Sequence, residues 1–409
     1  MHLADLTSHD TFLEGLPHQT FAWLREHDPV HWVDEHDGAG FWAVTRHADV
    51  RTVGRDPATF SSAAGIRLEE MAPDELEGRR TLMEHDPPDH TRLRRLVQEA
   101  FSRPVVARYE DELRRLAVEV VEEAVARSEF DFVTEVARPL PIAMLCRLLG
   151  VPDSDIDHLV TLADEMVSNT DPEFTRLVVD MSDTGDYRLL PFRSPAAVEV
   201  FDYAQELADS RRRRPGEDLI TTLVSATLSG RPLTDLEFKN FFALLLVAGN
   251  ETTRHSISQG MLAFIDNPAQ RRRWVEDVSV RRTGTEEILR WASVTIHFRR
   301  TATCDTELSG RDVAAGDKVV MWYPSANRDE REFTEPLRFD LGRDPNRHVT
   351  FGHGPHMCVG AWLARLEIRV LFEELLPRLA DIEVSGPLVR LRSNFHHGIN
   401  HLPVRVRLK

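Results

Sequence analysis

One cysteine stands in the glycine-rich stretch Phe351-Gly352-His353-Gly354-Pro355-His356-Met357-Cys358-Val359-Gly360, directly ahead of a run, Ala361 to Leu376, whose apolar positions recur at helical spacing. That order puts Cys358 at a helix N-terminus, where unpaired backbone N–H groups and the positive end of the dipole favour an anion. The thiol pKa is therefore expected to fall and the sulfur to bind metal as a thiolate. Gly352, Gly354 and Gly360 carry no Cβ, so a flat ligand or the loop's own amides can come close to the sulfur. Two other chemistries fit the same ten residues. His353, His356 and Cys358 could supply three ligands of a zinc site with a fourth from elsewhere, or the loop could cap a helix around an ordinary buried thiol. Cys146 and Cys304 lie in apolar or strand-like contexts without ligand spacing and support neither.

A second constellation sits in Ala243-Leu244-Leu245-Leu246-Val247-Ala248-Gly249-Asn250-Glu251-Thr252-Thr253. The capping box Thr234-Asp235-Leu236-Glu237 starts a helix here and Asn267-Pro268 ends it, roughly nine turns later. Gly249 in its apolar middle costs about 1 kcal/mol against alanine, which demands a steric reason. The Thr252 hydroxyl can bond back to the Ala248 carbonyl and open the helix locally. Taken alone, Glu251 reads as a solvated or salt-bridged surface residue and Thr252 as a packing residue. Elsewhere His90 and Arg94 stand four apart on one helical face after the turn-rich His85 to Asp89, and Glu287 and Arg290 stand three apart, close enough to pair.

In this order along the chain, these segments resemble the cytochrome P450 family of haem-thiolate monooxygenases. The family's cysteine loop reads Phe-Gly-x-Gly-x-His-x-Cys-x-Gly, and each fixed position is met. The resemblance implies a mainly α fold with small β-sheets and a long central helix crossing a buried haem b. Cys358 would be the axial ligand of the iron, with Phe351, Gly352 and Gly360 around it. Ala248 and Gly249 would cross the haem face and leave room for dioxygen, Thr252 would hydrogen-bond the oxygen under activation, and Glu251 would relay protons as a partly buried general acid. His90, Arg94, His356 and Arg300, the last chosen over Arg299 by counting back from Asp305, would hold the propionates. Glu287, Arg290 and Arg343 would hold the cysteine loop in place. The acid is Glu where Asp is commoner, within the family's range.

By family position the substrate pocket draws on Met83, Ala243, Leu244, Ala248, Val294, His297, Phe395 and His396, along with segments around residues 61–83 and 168–192. The carboxyl-terminal half is similar to the subgroup that hydroxylates branched lipids, steroids and terpenoids, in Ala248 to Arg254, Trp322 to Glu330 and Asp344 to His348. The expected reaction is hydroxylation or epoxidation of a hydrophobic small molecule, with dioxygen as co-substrate and electrons from NAD(P)H through a reductase and a ferredoxin. The alternatives are a tailoring oxidase of polyketide or other secondary metabolism, including oxidative coupling or peroxygenation, and a non-catalytic haem or zinc protein.

Nothing divides the 409 residues: no Gly/Ser-rich linker, low-complexity stretch or internal repeat, so one domain over 1–409 is expected. A net charge of -17 argues against nucleic acid as a partner. Helical patterns dominate. A strand pair is expected at Val30 to Val33 and Phe41 to Val44, joined by a charged turn ending Asp37-Gly38-Ala39-Gly40, with more strands around 301–322 and 382–407. The longest apolar run, Phe241 to Ala248, falls short of the roughly 20 residues that span a bilayer, and Met1-His2-Leu3-Ala4-Asp5 opens no signal-like segment. Unpaired cysteines agree with a reducing compartment. The expectation is a cytoplasmic monomer without membrane insertion. Arg92, Arg94, Arg95, Arg103 and Arg108 cluster after His90; they read either as ordinary solvated arginines or, on the side where the resemblance implies that an acidic ferredoxin docks, as its electrostatic docking surface. Arg211 to Arg214 reads as a helix end and carries no function.

Overall fold

Thr234 Oγ1 accepts the Glu237 backbone N–H at 3.2 Å while the Glu237 carboxylate accepts the Thr234 N–H at 2.7 Å, the reciprocal capping box that the sequence predicts. From it the helix Asp235–Asp266 runs unbroken for 32 residues in the computed structural model, which describes residues 3–409 apart from Asp37 and Ser229. At 1.5 Å per residue this rod is about 48 Å long, enough to cross a large domain. It is apolar on nearly every side at its middle, so it can only be buried. The helices Pro139–Leu149, Ile156–Val167, Ala196–Arg213, Arg281–Ala292 and Ala361–Leu375 all pack on it. At one end Phe264 stands edge-on to Trp274, Phe339 and Phe372, which ties the central helix to the helix behind the cysteine loop.

The strands lie to one side. The largest sheet has the order Val30–Val33, Phe41–Val44, Lys318–Trp322, His297–Ala302, Phe60–Ser61, antiparallel except where Lys318–Trp322 meets Phe41–Val44. The predicted hairpin is present, although Asp37 of its turn lies outside the described residues, as do Met1 and His2. Arg299 pairs with Val320 and Arg300 with Val319, so the two arginines leave opposite faces of the strand. A second sheet joins Leu379–Val384, Pro403–Leu408 and Glu129–Asp131. Mainly helical structure with small sheets is thus what forms; the expected regions carry strands, and Phe60–Ser61 and Glu129–Asp131 add short ones outside them. Arg211–Arg213 close the helix Ala196–Arg213, where Arg211 donates to the Gly150 carbonyl and pairs with Asp218. Among the described residues no helix is long and apolar enough to cross a membrane.

Candidate active site

Cys358 enters the helix Ala361–Leu375 as expected: its N–H donates to the Phe351 carbonyl at 2.8 Å, and its sulfur accepts from the Gly360 N–H. The thiol opens into an interior cavity of about 300 Å³ while lying deep in the protein. Burial pushes its pKa up from the ordinary value, and the Gly360 N–H, Arg94 and Arg365 offset only part of that rise. The expected lowering is therefore absent from the free thiol: loss of water outweighs the helix terminus. The glycines also serve differently from expectation. Gly354 has φ +78°, and a Cβ there would run into the backbone of Gly54, in the helix His47–Arg55. It permits a close approach between loop and helix rather than between loop and ligand.

One wall of the cavity is basic. His90 and Arg94, on the helix Asp89–Arg95, and His356 line it, with the His90 and His356 rings 4.0 Å apart. Arg300 does not reach the cavity surface, yet its charge acts on both histidines. Burial first, then Arg94 and Arg300, lowers His90 to about 4; burial, then Arg300 and His90, lowers His356 to about 2. Arg299 turns the other way and donates to the Glu69 carbonyl at 3.0 Å. The Nδ1 atoms of His90 and His356 are buried without a partner, and His356 Nε2 meets the Ser62 hydroxyl at 3.2 Å. Orphaned donors and two arginines call for an anionic group. The residues present thus suit haem b: a sulfur facing the cavity, and a wall of donors of the kind that carboxylate side chains of a porphyrin would satisfy. The zinc alternative has no such support. His353 Nε2 is engaged by Arg55 Nη2 at 3.0 Å, and no group of three His, Cys, Asp or Glu among the described residues could hold a metal ion.

The central helix forms the opposite wall. Ala248 and Thr252 line the cavity, and the Thr252 hydroxyl donates to the Ala248 carbonyl at 2.9 Å, the predicted back-bond, without interrupting the helix. Gly249 also touches the cavity, but a Cβ on it would meet the Leu145 side chain at 3.1 Å. The steric reason for glycine here is packing against the helix Pro139–Leu149. Glu251 is fully buried rather than partly so, and it does not line the cavity. Its Oε1 accepts from Ser168 Oγ at 2.9 Å and from His255 Nε2 at 3.3 Å, and its Oε2 accepts from His396 Nδ1 at 2.7 Å. His255 Nδ1 accepts the Ile399 N–H at 3.2 Å, which leaves its proton on Nε2 and the ring neutral. Burial would raise the Glu251 carboxyl, but His396 and His255 outweigh it and hold the group well below the usual range. Glu251 is therefore an anion that touches the cavity only through His396.

A second buried glutamate, unremarked in the sequence, behaves in the opposite sense. Glu367, on the helix behind Cys358, lines the cavity with Oε1 unpartnered. Burial pushes its pKa well above the ordinary value, against one opposing hydrogen bond from Thr253, which favours its protonated form. Two more groups escaped sequence reading: Asp164, which pairs with Arg254 at 2.7 Å beside Glu251, and Arg67 in the cavity wall. Arg254 and His255, three and four residues past Glu251, were open to a helical-spacing argument; Asp164 and Arg67 offered none.

Met83, Ala243, Leu244, Val294, Phe395 and His396 all line the cavity. His297 does not. Strand alternation turns its ring onto Trp322 and Phe395, where Nδ1 donates to the Asn394 carbonyl at 3.1 Å. Phe351 and Gly360 also line the cavity, while Gly352 stands behind it with φ +72°. Away from the cavity, Arg290 grips Glu287 with two bonds of 2.8 Å, and Arg343 Nε reaches the same carboxylate at 3.1 Å. Of the five arginines after His90, Arg94 turns inward and Arg92 pairs with Asp89 at 2.8 Å. Arg95, Arg103 and Arg108 are exposed, and Arg103 covers the exposed ring of Trp362 on the Cys358 side.

Comparison with known proteins gives a consistent result. The sequence model of the family described as Cytochrome P450 matches residues 13–380. The chain is 41% identical over 372 residues to the methyl-branched lipid omega-hydroxylase of Mycobacterium tuberculosis, covering 90% of this chain and 84% of that protein. It is 38% identical over 414 residues to the steroid C26-monooxygenase of the same species, covering 98% and 92%. A solved Mycobacterium marinum cytochrome P450 in complex with pseudoionone superposes with a TM-score of 0.87 at 39% identity, covering 95% of this chain and 94% of the other.

Proposed function

The chain belongs to the cytochrome P450 family, and from that premise we propose a haem-thiolate monooxygenase that oxidises a hydrophobic, lipid- or steroid-like molecule with electrons from NAD(P)H through a reductase and a ferredoxin. The observation that carries this reading is one cavity with the Cys358 sulfur on one wall and Ala248 and Thr252 on the other, lined elsewhere by side chains such as Met83, Leu244 and Phe395. The named activities of the two relatives support the lipid and steroid class. Haem, when bound, supplies an iron that reduces dioxygen and passes one oxygen atom to the substrate.

The residues of this chain do the rest. Cys358 Sγ would ligate the iron, and His90, Arg94 and His356 would hold the propionates with charge-assisted bonds, with Arg300 adding its positive charge from behind the two histidines. The Thr252 hydroxyl donates to one partner and keeps lone pairs for another, so it can hold or pass a proton at Oγ1. A carboxylate only accepts, so the His396 proton that meets Glu251 is on Nδ1. Among the described residues Nε2 has no hydrogen-bond partner, and the Glu251 carboxylate behind the ring fixes its tautomer and orientation. His396 is thus the cavity side chain that Glu251 holds by a hydrogen bond. The apolar lining excludes water from the reacting carbon. For electron delivery, exposed Arg95, Arg103 and Arg108, of which Arg103 lies over the exposed Trp362 ring, suit an acidic iron-sulfur protein docking on the Cys358 side.

Absorption spectroscopy tests the reading. The reduced carbon monoxide adduct of the purified protein should carry a thiolate signature, and branched lipids or steroids should shift the iron from low to high spin. A thiolate signature with no shift from any lipid, steroid or terpenoid would overturn the substrate class; its absence from folded, haem-loaded protein would overturn the reaction.

A further inference from the structure

Arg67 is a charge in the cavity wall that the rest of the protein leaves unused. Its guanidinium lies between two aromatic rings, 4.5 Å from the centroid of Phe192 and 4.2 Å from that of Phe395. It makes no hydrogen bond and no ion pair with any described residue. Three carboxylates are close enough to act on it, Glu69, Glu84 and Glu251, and each is engaged elsewhere. Glu69 accepts from Arg79 Nη1 at 3.3 Å. Glu84 accepts the Thr81 hydroxyl at 2.6 Å and the Thr81 N–H at 2.9 Å, and burial raises its pKa, which weakens its charge. Glu251 is held by Ser168, His255 and His396.

Cation–π contact with both rings holds the guanidinium in the wall, while its N–H groups keep no acceptor among the described residues. A charged fork drawn out of bulk water without an acceptor is unfavourable, and a ligand carboxylate would satisfy it with two parallel N–H···O bonds. Arg79 adds to the field: it lines the same cavity, and its Nε and Nη2 are buried without a partner. Around them Met71, Leu76, Phe241 and Leu244 offer only apolar contact.

We propose that the cavity takes an apolar molecule ending in a carboxylate, and that Arg67, set between Phe192 and Phe395, grips that carboxylate and so selects acids over neutral molecules of the same skeleton. The inference rests on the monooxygenase reading and names its substrate class. It is tested on the haem-loaded protein with hexadecanoic acid and methyl hexadecanoate as probes, following spin state and, independently, heat of binding. The acid should bind about 10-fold to 100-fold more tightly than the ester, the range expected for charge-assisted hydrogen bonds. Arg67→Gln should abolish that preference by weakening the acid alone, and Arg67→Lys should keep part of it. Equal affinity of acid and ester for the wild-type protein, or a preference that survives Arg67→Gln, overturns the proposal. The wild-type comparison decides even if Arg67→Gln does not load haem. Should the ester or a sterol shift the spin state while the acid does not, only the carboxylate grip falls; a missing thiolate signature removes the reading beneath it.

Discussion

Arg290 and Arg94 are both guanidiniums drawn in from solvent, and their surroundings use them in opposite ways. Arg290 spends every donor: two bonds to Glu287, others to the carbonyls of Asn327, Pro336 and Arg338. Glu287 is equally occupied, taking Arg343, Asn346 and the Asp340 N–H besides. Around Arg94 the protein supplies no such acceptors, and the neighbouring His90 and His356 each keep a buried ring nitrogen without a partner. A saturated cluster holds chain segments together; an unsaturated one is shaped for something the chain does not contain. The same contrast separates Arg290 from Arg67.

Breaking the saturated cluster should have the largest effect. Glu287→Ala strands two arginines, and losing one partner of a buried pair costs about 3–5 kcal/mol, a large share of a typical stability of about 5–15 kcal/mol. Urea unfolding should show that loss, and the purified variant should carry little haem; wild-type haem content would refute the structural role. The unsaturated wall should respond the other way. Arg94→Ala should leave the haem-free protein as stable as wild type yet weaken haem retention by about 10-fold to 100-fold, since about 1.5–3 kcal/mol rides on a charged hydrogen bond. Timed transfer of haem to a scavenging globin measures it, and an unchanged rate would place the propionates elsewhere.

Glu367 offers the smallest and most specific probe. Its pKa is raised in the folded protein, so between the unfolded value near 4.5 and the folded one the native state holds a proton that the unfolded state has lost. Its contribution is complete below that window and drains away as pH rises through it, by at most about 1.4 kcal/mol per pH unit. Glu367→Gln mimics the neutral acid, so it should flatten this decline in urea titrations run at several pH values. A variant less stable at neutral pH would show the group to be ionised. Glu251, held well below 4.5, should show the reverse: stability present above that value and lost as acid protonates it.

The cysteine loop, the central helix and the Glu287–Arg290 pair were legible because each is written in contiguous residues or at helical spacing, and Phe339 to Arg343 supplied the third member in a recognisable place. The site's electrostatics were not. Glu251 owes its lowered pKa to His396 and His255, of which only His255 is near in sequence. His297 was misplaced because its strand register, set by Lys318–Trp322, decides which face it takes. The inward turn of Arg94 and the isolation of Arg67 depend on which acceptors the folded chain brings near, and no local pattern records that.

The cavity is bounded by Ile66 and Arg67 near one end of the numbering and by Phe395 and His396 near the other, and Gly54 presses its backbone on Gly354. Synthesis proceeds in that order, so the sulfur and the wall that closes over it leave the ribosome after most of the scaffold. Contacts this distant in sequence form late and slowly. A chain interrupted before residue 358 would lack the sulfur, the helix Ala361–Leu375 that packs on the central helix, and two of the three strands of the second sheet.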